Sequence, residues 1–193
     1  FNMDGLFLDT EGLRSRVFQE ICNRFGKKYS WEVKCMVMGK TSPEASQIIV
    51  EAPQLPVSRE DLLEETLPTA ALMPGAEKLI HHLRKHRLRF VLVSTSRSVS
   101  FEMKTSRHEK LFSLFNHIVV GDDPQVQNGQ PGQDVFLTCA KRFSPPPEPK
   151  NSGVQVVMVP NENLNPDFTR KATLVLNSLQ DLEPQLFGVP AYE

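Results

Sequence analysis

The amino-acid sequence predicts an α/β fold in which helices alternate with buried parallel strands. Continuous apolar runs, typical of strands that are covered on both faces, occur at residues 89–94, 117–121, 154–159 and 172–176. Helical patterns precede the first three of these runs, at residues 75–86, 101–114 and 134–142. This alternation predicts a doubly wound α/β domain with right-handed crossovers, whose functional site lies at the carboxyl ends of the strands.

A second group of helices is predicted between residues 11 and 66. From residue 11 to 26, apolar residues recur every four positions and form one stripe of a helix, at Leu13, Val17, Ile21 and Phe25. Gly26 is placed to end this helix. Shorter helical patterns follow at residues 31–38, 43–51 and 58–66. Together these patterns predict a small all-helical module.

One connection departs from the alternating pattern. Residues 144–153 contain four prolines and can form neither a helix nor a strand. In an alternating fold, a strand and a helix would fit at this point. The sequence therefore predicts a core that is incomplete here.

The composition argues against several classes of partner. The 22 lysine and arginine residues nearly balance the 23 aspartate and glutamate residues, so no strong field attracts nucleic acid or an anionic membrane. No apolar run reaches the roughly 18 residues of a transmembrane helix. The three cysteines form no close pair. We expect a cytoplasmic monomer without disulfides that binds neither nucleic acid nor membranes.

The amino-terminal residues carry the pattern most closely tied to chemistry. In an Asp-based phosphoryl-transfer loop, the first carboxylate attacks phosphorus and binds Mg²⁺, and a second, two residues later, exchanges a proton with the leaving oxygen. A following glycine lets the backbone turn close to the phosphate. Here the sequence Asn2-Met-Asp4-Gly5 places an amide at the first position. That amide is neutral and nearly non-nucleophilic.

The chain resembles the haloacid dehalogenase-like superfamily and, within it, the pseudouridine-5′-phosphatase group. The motifs that carry this resemblance run along the whole chain and include residues 2–11, 18–23, 28–31, 37–40, 68–75, 104–108 and 172–181. The resemblance implies a Rossmann-like three-layer core formed by residues 1–10 and 69–193. It also implies a small helical cap, residues 11–68, that covers a sugar phosphate.

The resemblance also assigns roles to individual residues. The nucleophile position falls on Asn2 and the general acid/base position on Asp4, and these two residues would form a weak, incomplete Mg²⁺ site. The hydroxyl that binds the phosphate falls on Ser94, with Thr95 beside it. The cationic position, a lysine before proline in the family, falls on the uncharged Gln130.

An acidic motif that completes the Mg²⁺ site in the family has no counterpart in this chain. The family carries it on a strand beside the first strand, and here the proline-rich connection occupies its place. The chain also begins inside its first strand, so we expect residues upstream of Phe1 to be missing. Two neighbouring central strands are then absent or truncated, and each buried polar group left without a partner costs about 1 to 3 kcal/mol.

These losses predict an inactive protein. Removing the attacking group of a covalent mechanism lowers the rate on the order of 10⁴-fold or more. We expect a pseudoenzyme, the product of a duplicated and degraded gene, that binds Mg²⁺ weakly or not at all. Two alternatives stay open. One is a residual Mg²⁺-dependent phosphatase that acts on a nucleoside or sugar monophosphate, with Asp4 activating water. The other is a non-catalytic scaffold that binds a small phosphorylated metabolite or a partner.

Two local features give further expectations. Arg87 stands at a helix-to-strand joint where glycine is usual. Asp122 and Asp123 follow a predicted strand, where they form either a metal-binding pair or, in the interpretation we favour, a turn with a helix cap.

Overall fold

The structure is a computed structural model of the chain, and it describes residues 1–37, 42–58, 67–126, 138–139, 141–143, 155–160, 166–170 and 172–193. The chain divides into two compact units. The first unit contains Phe1–Leu8, Leu72–Phe101 and His108–Glu193, and the second contains Asp9–Ala71 and Glu102–Arg107. The assignment of residues 11–68 as a cap over a core stays a prediction. Within the described ranges, no helix has both the length and the apolar character needed to cross a lipid bilayer.

Helices and strands alternate in the described part of the first unit, as predicted. The helices whose bounds the structure describes are α1 (Thr10–Arg24), α2 (Trp31–Val37), α3 (Ser42–Glu51), α4 (Ala76–Lys85), α5 (Ser98–Thr105) and α6 (Glu109–Phe112). The strands are β1 (Val91–Val93), β2 (His117–Val119), β3 (Val157–Met158) and β4 (Leu174–Val175). Short 3₁₀ helices lie at Leu67–Thr69, Pro166–Thr169, Leu179–Asp181 and Pro184–Phe187.

The described strands form two separate sheets. β1 pairs in parallel with β2, with Leu92 opposite Ile118, and on its other edge Val93 forms an isolated parallel bridge with Asn2. β3 pairs in parallel with β4, with Val157 opposite Leu174. The strands described by the structure thus belong to two two-stranded sheets in place of one continuous sheet. This arrangement confirms the predicted α/β class with a truncated core sheet.

The predicted helix over residues 101–114 is wrong in its continuity. The structure has two shorter helices there, α5 and α6, separated by Ser106, Arg107 and His108. The Ser106 hydroxyl donates to the Met103 carbonyl at 2.9 Å, a local bond that competes with the helical ladder. His108 then begins α6 as its N-cap, with a φ of −128° that no helix interior contains. The local bond of Ser106 and the non-helical backbone of His108 thus coincide with the break in the predicted helix.

Two further predicted segments are described only in part. Of the predicted helix over residues 134–142, the structure describes Thr138 and Cys139 as helical, followed by Lys141. The predicted helix at residues 58–66 and the proline-rich connection lie almost entirely outside the described residues. The prediction for these segments therefore stays a prediction.

The described part of the second unit includes α1, α2 and α3. Asp9 caps α1, since its carboxylate accepts from the Gly12 amide at 2.8 Å, and Gly26 follows the end of α1 with a φ of +65°. The buried cluster of this unit consists of Phe18, Ile21, Cys22, Val33, Val37, Ile49 and Leu55. Phe25 was predicted to share the buried stripe but is 40% exposed. Trp31 is also on the surface, 64% exposed, with the Lys34 ammonium 5.7 Å from the centre of its ring.

Helix α4 buries one set of side chains in the first unit. Other side chains of α4 contact the last residues of the chain. Its buried side chains include Leu79, Ile80 and Leu83. His82 Nε2 lies 2.7 Å from the Pro190 carbonyl oxygen. Lys85 forms an ion pair with Glu193 at 2.5 Å. The last residues of the chain are thereby held against α4.

Arg87, just after α4, has a backbone φ of +54°. This left-handed conformation costs a residue with a side chain roughly 1 to 2 kcal/mol, whereas glycine adopts it freely. The observed backbone confirms the expectation that this joint favours glycine. The exposed arginine side chain supplies no burial that would offset the strain.

We predict that Arg87→Gly raises the free energy of unfolding by about 0.5 to 1 kcal/mol, because relief of the left-handed strain exceeds the added entropy of the unfolded chain. Arg84→Gly, on the exposed side of α4, is the matched control and should lower stability by about 1 kcal/mol, since glycine weakens a helix. Urea denaturation followed by circular dichroism measures both. Equal destabilisation by the two changes would refute the strain at residue 87.

Candidate active site

The first residues of the chain form a strand-like segment along β1. The Phe1 nitrogen donates to the Val91 carbonyl at 2.8 Å, and the Val93 amide donates to the Phe1 carbonyl at 2.7 Å. The Phe1 ring packs edge-on against Phe7, with centroids 5.4 Å apart. Main-chain pairing and aromatic packing together place Asn2 beside the carboxyl end of β1.

A tight loop follows Asn2 and fixes the position of Asp4. The Met3 carbonyl accepts from the amides of Leu6, Phe7 and Leu8 at 2.9 to 3.2 Å. Gly5 has a φ of +74°, which a side chain would oppose. Met3 and Phe7 are both fully buried. Main-chain bonds, one glycine and buried apolar side chains therefore determine the path of the loop.

The side chain of Asn2 faces back onto this loop. Its Nδ2 donates to the Asp4 carbonyl oxygen at 3.2 Å. An ionised carboxylate at position 2 has no proton to donate and could not form this bond. The loop therefore contains a hydrogen bond that depends on the amide.

Hydroxyl groups surround the Asp4 carboxylate. Ser94 Oγ lies 3.4 Å from Asp4 Oδ2, and Ser96 Oγ lies 3.5 Å from the same oxygen. Ser94 is buried, and its Oγ also accepts from the Ser96 amide at 3.1 Å. The structure thus brings Asp4 and Ser94 together, as their positions after neighbouring parallel strands predict. Their roles in acid/base chemistry and phosphate binding stay predictions.

The structure shows no contact of the other predicted site residues, Thr95 and Gln130, with Asp4. Thr95 is exposed, and its side chain has no described contact with Asp4. Gln130, the predicted lysine position, lies outside the described residues. Sequence reasoning gave no separate role to Ser96, which approaches Asp4 as closely as Ser94 does.

Gly121 is a further residue on which the site depends and which the sequence did not single out. Its amide donates to the Ser96 carbonyl at 2.8 Å. A Cβ atom at this position would lie 2.3 Å from the Thr95 carbonyl oxygen. The segment from Ser94 to Ser96, which we call the hydroxyl loop, can therefore lie this close to the end of β2 only when residue 121 is glycine. A glycine at the end of a predicted strand was the available signal.

The two aspartates after β2 are engaged in structural contacts. Asp122 Oδ1 accepts from the Ser98 amide and Oδ2 from the Ser98 hydroxyl, both at 2.8 Å, so this carboxylate caps the start of α5. Asp123 Oδ1 accepts from Arg142 at 2.7 Å. These contacts support the turn-and-cap interpretation over a metal-binding pair. The sequence predicted a capping role for these aspartates but not their partners, Ser98 and Arg142, which lie in distant segments of the chain.

The donors that the structure describes around Asp4 form an incomplete magnesium site. The predicted ligands are Asn2, whose amide nitrogen is bonded to the loop, and Asp4. In the described part of the chain, no group of three or more Asp, Glu, His or Cys residues is placed to hold a metal ion. Mg²⁺ favours octahedral oxygen ligands, including carboxylates, and gives up water reluctantly. The predicted ligand set thus supplies one carboxylate and one neutral amide oxygen.

Comparison with protein families places this chain among hydrolases. The family described as haloacid dehalogenase-like hydrolase matches residues 1–159. The chain belongs to this family. Crystal structures with the same fold include a hydrolase of Deinococcus radiodurans with bound phosphate and sodium, with a TM-score of 0.68, 18% identity and coverage of 98% of this chain and 94% of that one. YfnB of Bacillus subtilis, bound to magnesium, has a TM-score of 0.65, 17% identity and coverage of 98% and 97%.

Curated relatives with higher identity carry phosphatase names. The protein named "Probable pseudouridine-5′-phosphatase" of Drosophila melanogaster is 40% identical over 216 positions, which cover 100% of this chain and 94% of the relative. The "(DL)-glycerol-3-phosphatase 2" of Arabidopsis thaliana is 37% identical, with coverage of 100% and 91%. Because 216 aligned positions accommodate only 193 residues of this chain, the fly protein has at least 23 residues in the aligned region that this chain lacks.

The hydrogen bonds of Asp122 lead to a pH-dependent prediction. The Ser98 hydroxyl and amide hold the pKa of the Asp122 carboxyl below its usual value. Its stabilising contribution is therefore complete above the usual value, about 4, and is lost as the pH falls through the lowered pKa. Asp122→Ala should lower the melting temperature at neutral pH, and the deficit relative to wild type should shrink below about pH 4.

Asp122→Asn is the matched control for this measurement. Its side-chain oxygen still accepts from Ser98 but does not titrate, so it should retain part of the cap at every pH. Thermal denaturation by circular dichroism compares the three proteins. An alanine deficit that is unchanged at acidic pH would show that the charge of Asp122 has no part in capping α5.

Proposed function

We propose that this chain is a catalytically inactive member of the haloacid dehalogenase-like family, related to phosphatases of small phosphorylated metabolites. The observation that carries this proposal is the amide at position 2, where the reaction requires an attacking carboxylate. The Asn2 nitrogen already donates to the Asp4 carbonyl at 3.2 Å. Asn2 thus acts as a hydrogen-bond donor that stabilises the loop and not as a nucleophile that attacks the substrate.

The retained groups do not replace the lost nucleophile. A positioned acid/base contributes about 10² to 10⁴ to a rate, and only when another group or an activated water attacks the substrate. Loss of the nucleophile itself lowers the rate on the order of 10⁴-fold or more. Asp4, with its neighbours Ser94 and Ser96, therefore supports at most a small fraction of the family's turnover.

We extend the proposal to the metal. In the described part of the chain, no cluster of three or more metal-binding side chains lies around Asp4 to offset the dehydration of Mg²⁺. The ion should therefore bind weakly or not at all. Since the groups present do not fit the ion, no step of a reaction in this chain is assigned to it.

The length difference from the fly relative supports the same proposal. At least 23 aligned residues of that protein have no equivalent here. We place the loss at residues 144–153, where the sequence lacks the strand and helix that the alternation calls for. The resemblance puts the acidic metal motif in this part of the chain. One deletion would then remove both a strand and the metal ligands.

A second candidate function is a residual phosphatase in which Asp4 activates water. The contacts of Ser94 Oγ and Ser96 Oγ with Asp4 favour it, because they keep the acid/base position oriented at the end of β1. A third is a scaffold that binds a phosphorylated metabolite without turnover. The same two hydroxyls would donate hydrogen bonds to the phosphate oxygens.

We predict that the protein releases no phosphate above background from pseudouridine 5′-monophosphate or glycerol 3-phosphate, with or without Mg²⁺. Asn2→Asp should also stay at background, because restoring the carboxylate does not restore the acidic motif or the lysine. A colorimetric phosphate assay measures both. Asp4→Asn is the matched control, and wild-type release that this change abolishes would establish the residual phosphatase instead. A ligand-dependent rise in melting temperature without release would identify the scaffold.

A further inference from the structure

Residues 190–193, which we call the strap, lie along helix α4. The Tyr192 ring packs against His82, with ring centroids 4.6 Å apart, and the Lys78 ammonium lies 4.0 Å from the centre of the same Tyr192 ring. His82 Nε2 donates to the Pro190 carbonyl oxygen at 2.7 Å. The strap therefore covers the face of α4 that carries His82.

Two polar atoms beneath the strap are left without hydrogen bonds. In the part of the chain that the structure describes, His86 Nε2 and the Tyr192 hydroxyl are buried, and neither atom has a hydrogen-bond partner. A buried polar atom without a partner costs free energy and calls for an explanation, of which a bound ion is one. His86 Nε2 is therefore available to a ligand that the strap does not supply.

His82 and His86 are positioned as a pair. They are four residues apart, so their side chains lie on the same face of the helix. The His86 amide donates to the His82 carbonyl at 3.1 Å, which continues the helical bonding to residue 86. The centroids of the two imidazole rings are 4.6 Å apart. Two imidazoles at this spacing on one helix are a recurrent unit of Zn²⁺ binding.

Several features of the strap favour its opening. Pro190, Ala191 and Glu193 are exposed. The ion pair between Lys85 and Glu193 lies on the surface, where such pairs contribute little to stability. Opening would also give the two unsatisfied atoms access to water, which removes the cost of their burial. Both imidazoles would then face solvent.

We propose that His82 and His86 bind a divalent transition metal of the Zn²⁺ type when the strap lifts from α4. The metal takes a lone pair from each imidazole, and water completes its coordination, since no third Asp, Glu, His or Cys joins the pair within the described ranges. His82 Nε2 carries the proton that it donates to Pro190. Binding at this atom requires the proton to move to Nδ1 and the bond to Pro190 to break. Metal and strap therefore exclude each other at His82.

The probe is ZnCl₂, titrated by calorimetry into the tag-free 193-residue protein. One saturable site is expected. His86→Ala should bind Zn²⁺ about tenfold or more weakly, because loss of a ligand costs at least as much as loss of the group that orients it. His81→Ala is the matched control and should bind as the wild type does, since His81 is exposed on the same helix, 3.8 Å from Glu77. Circular dichroism checks folding, and His86→Gln is the second variant should His86→Ala not fold.

A second pair of variants tests the competition between metal and strap. Tyr192→Ala removes the ring that packs on His82 and should strengthen Zn²⁺ binding about twofold or more, because the open state becomes more populated. Tyr192→Phe retains the ring and removes the unsatisfied hydroxyl, so it should hold the strap more firmly and weaken Zn²⁺ binding. A purely structural role of the two histidines predicts no such opposite shifts.

The proposal is wrong when the wild-type protein shows no saturable Zn²⁺ binding, or when the folded His86 and His81 variants bind Zn²⁺ equally well. Equal affinity of the two Tyr192 variants would overturn the competition with the strap. The wild-type titration needs no variant, so it decides the question even when a variant does not fold. It involves neither phosphate nor the residues around Asp4, and its outcome is independent of the proposed loss of catalysis.

Discussion

The pairing of the first residues with β1 is the interaction on which the other features of the first unit depend. Two hydrogen bonds, from the Phe1 nitrogen to Val91 and from the Val93 amide to Phe1, fix the register of Asn2. That register sets Asp4 beside Ser94 at the end of the strand. The placement of the site residues is thus a consequence of one strand pairing.

The backbone conformation of the loop after Asn2 is determined by other atoms than those expected to carry out its chemistry. The loop is held by the Met3 carbonyl, which accepts three amides, by the positive φ of Gly5 and by buried Met3 and Phe7. None of these contributions requires a negative charge at position 2. The fold can therefore accept an amide there, and the amide adds a hydrogen bond of its own to the loop. The proposed loss of the nucleophile would therefore leave the surrounding architecture in place.

The sequence predicted the parts of the fold that follow from local periodicity and from strand order. The four-residue apolar spacing gave α1, and the order of strands and helices placed Asp4 near Ser94. The Ser106 hydroxyl bonds to the Met103 carbonyl where the pattern predicted one continuous helix, and a local side-chain bond of this kind cannot be seen in the pattern of residue types. The capping of α5 by Asp122 joins segments 24 residues apart. Such a partner cannot be read from a pattern, since many polar residues could equally well have supplied it.

The position of the single tryptophan decides which unit can be observed by its intrinsic emission. Trp31 belongs to the second unit and is 64% exposed, and the chain contains no other tryptophan. Its intrinsic emission therefore reports directly on the second unit. Optical titrations of the first unit need a reporter placed within it, and Phe90, a buried aromatic residue that precedes β1, offers a natural position for one.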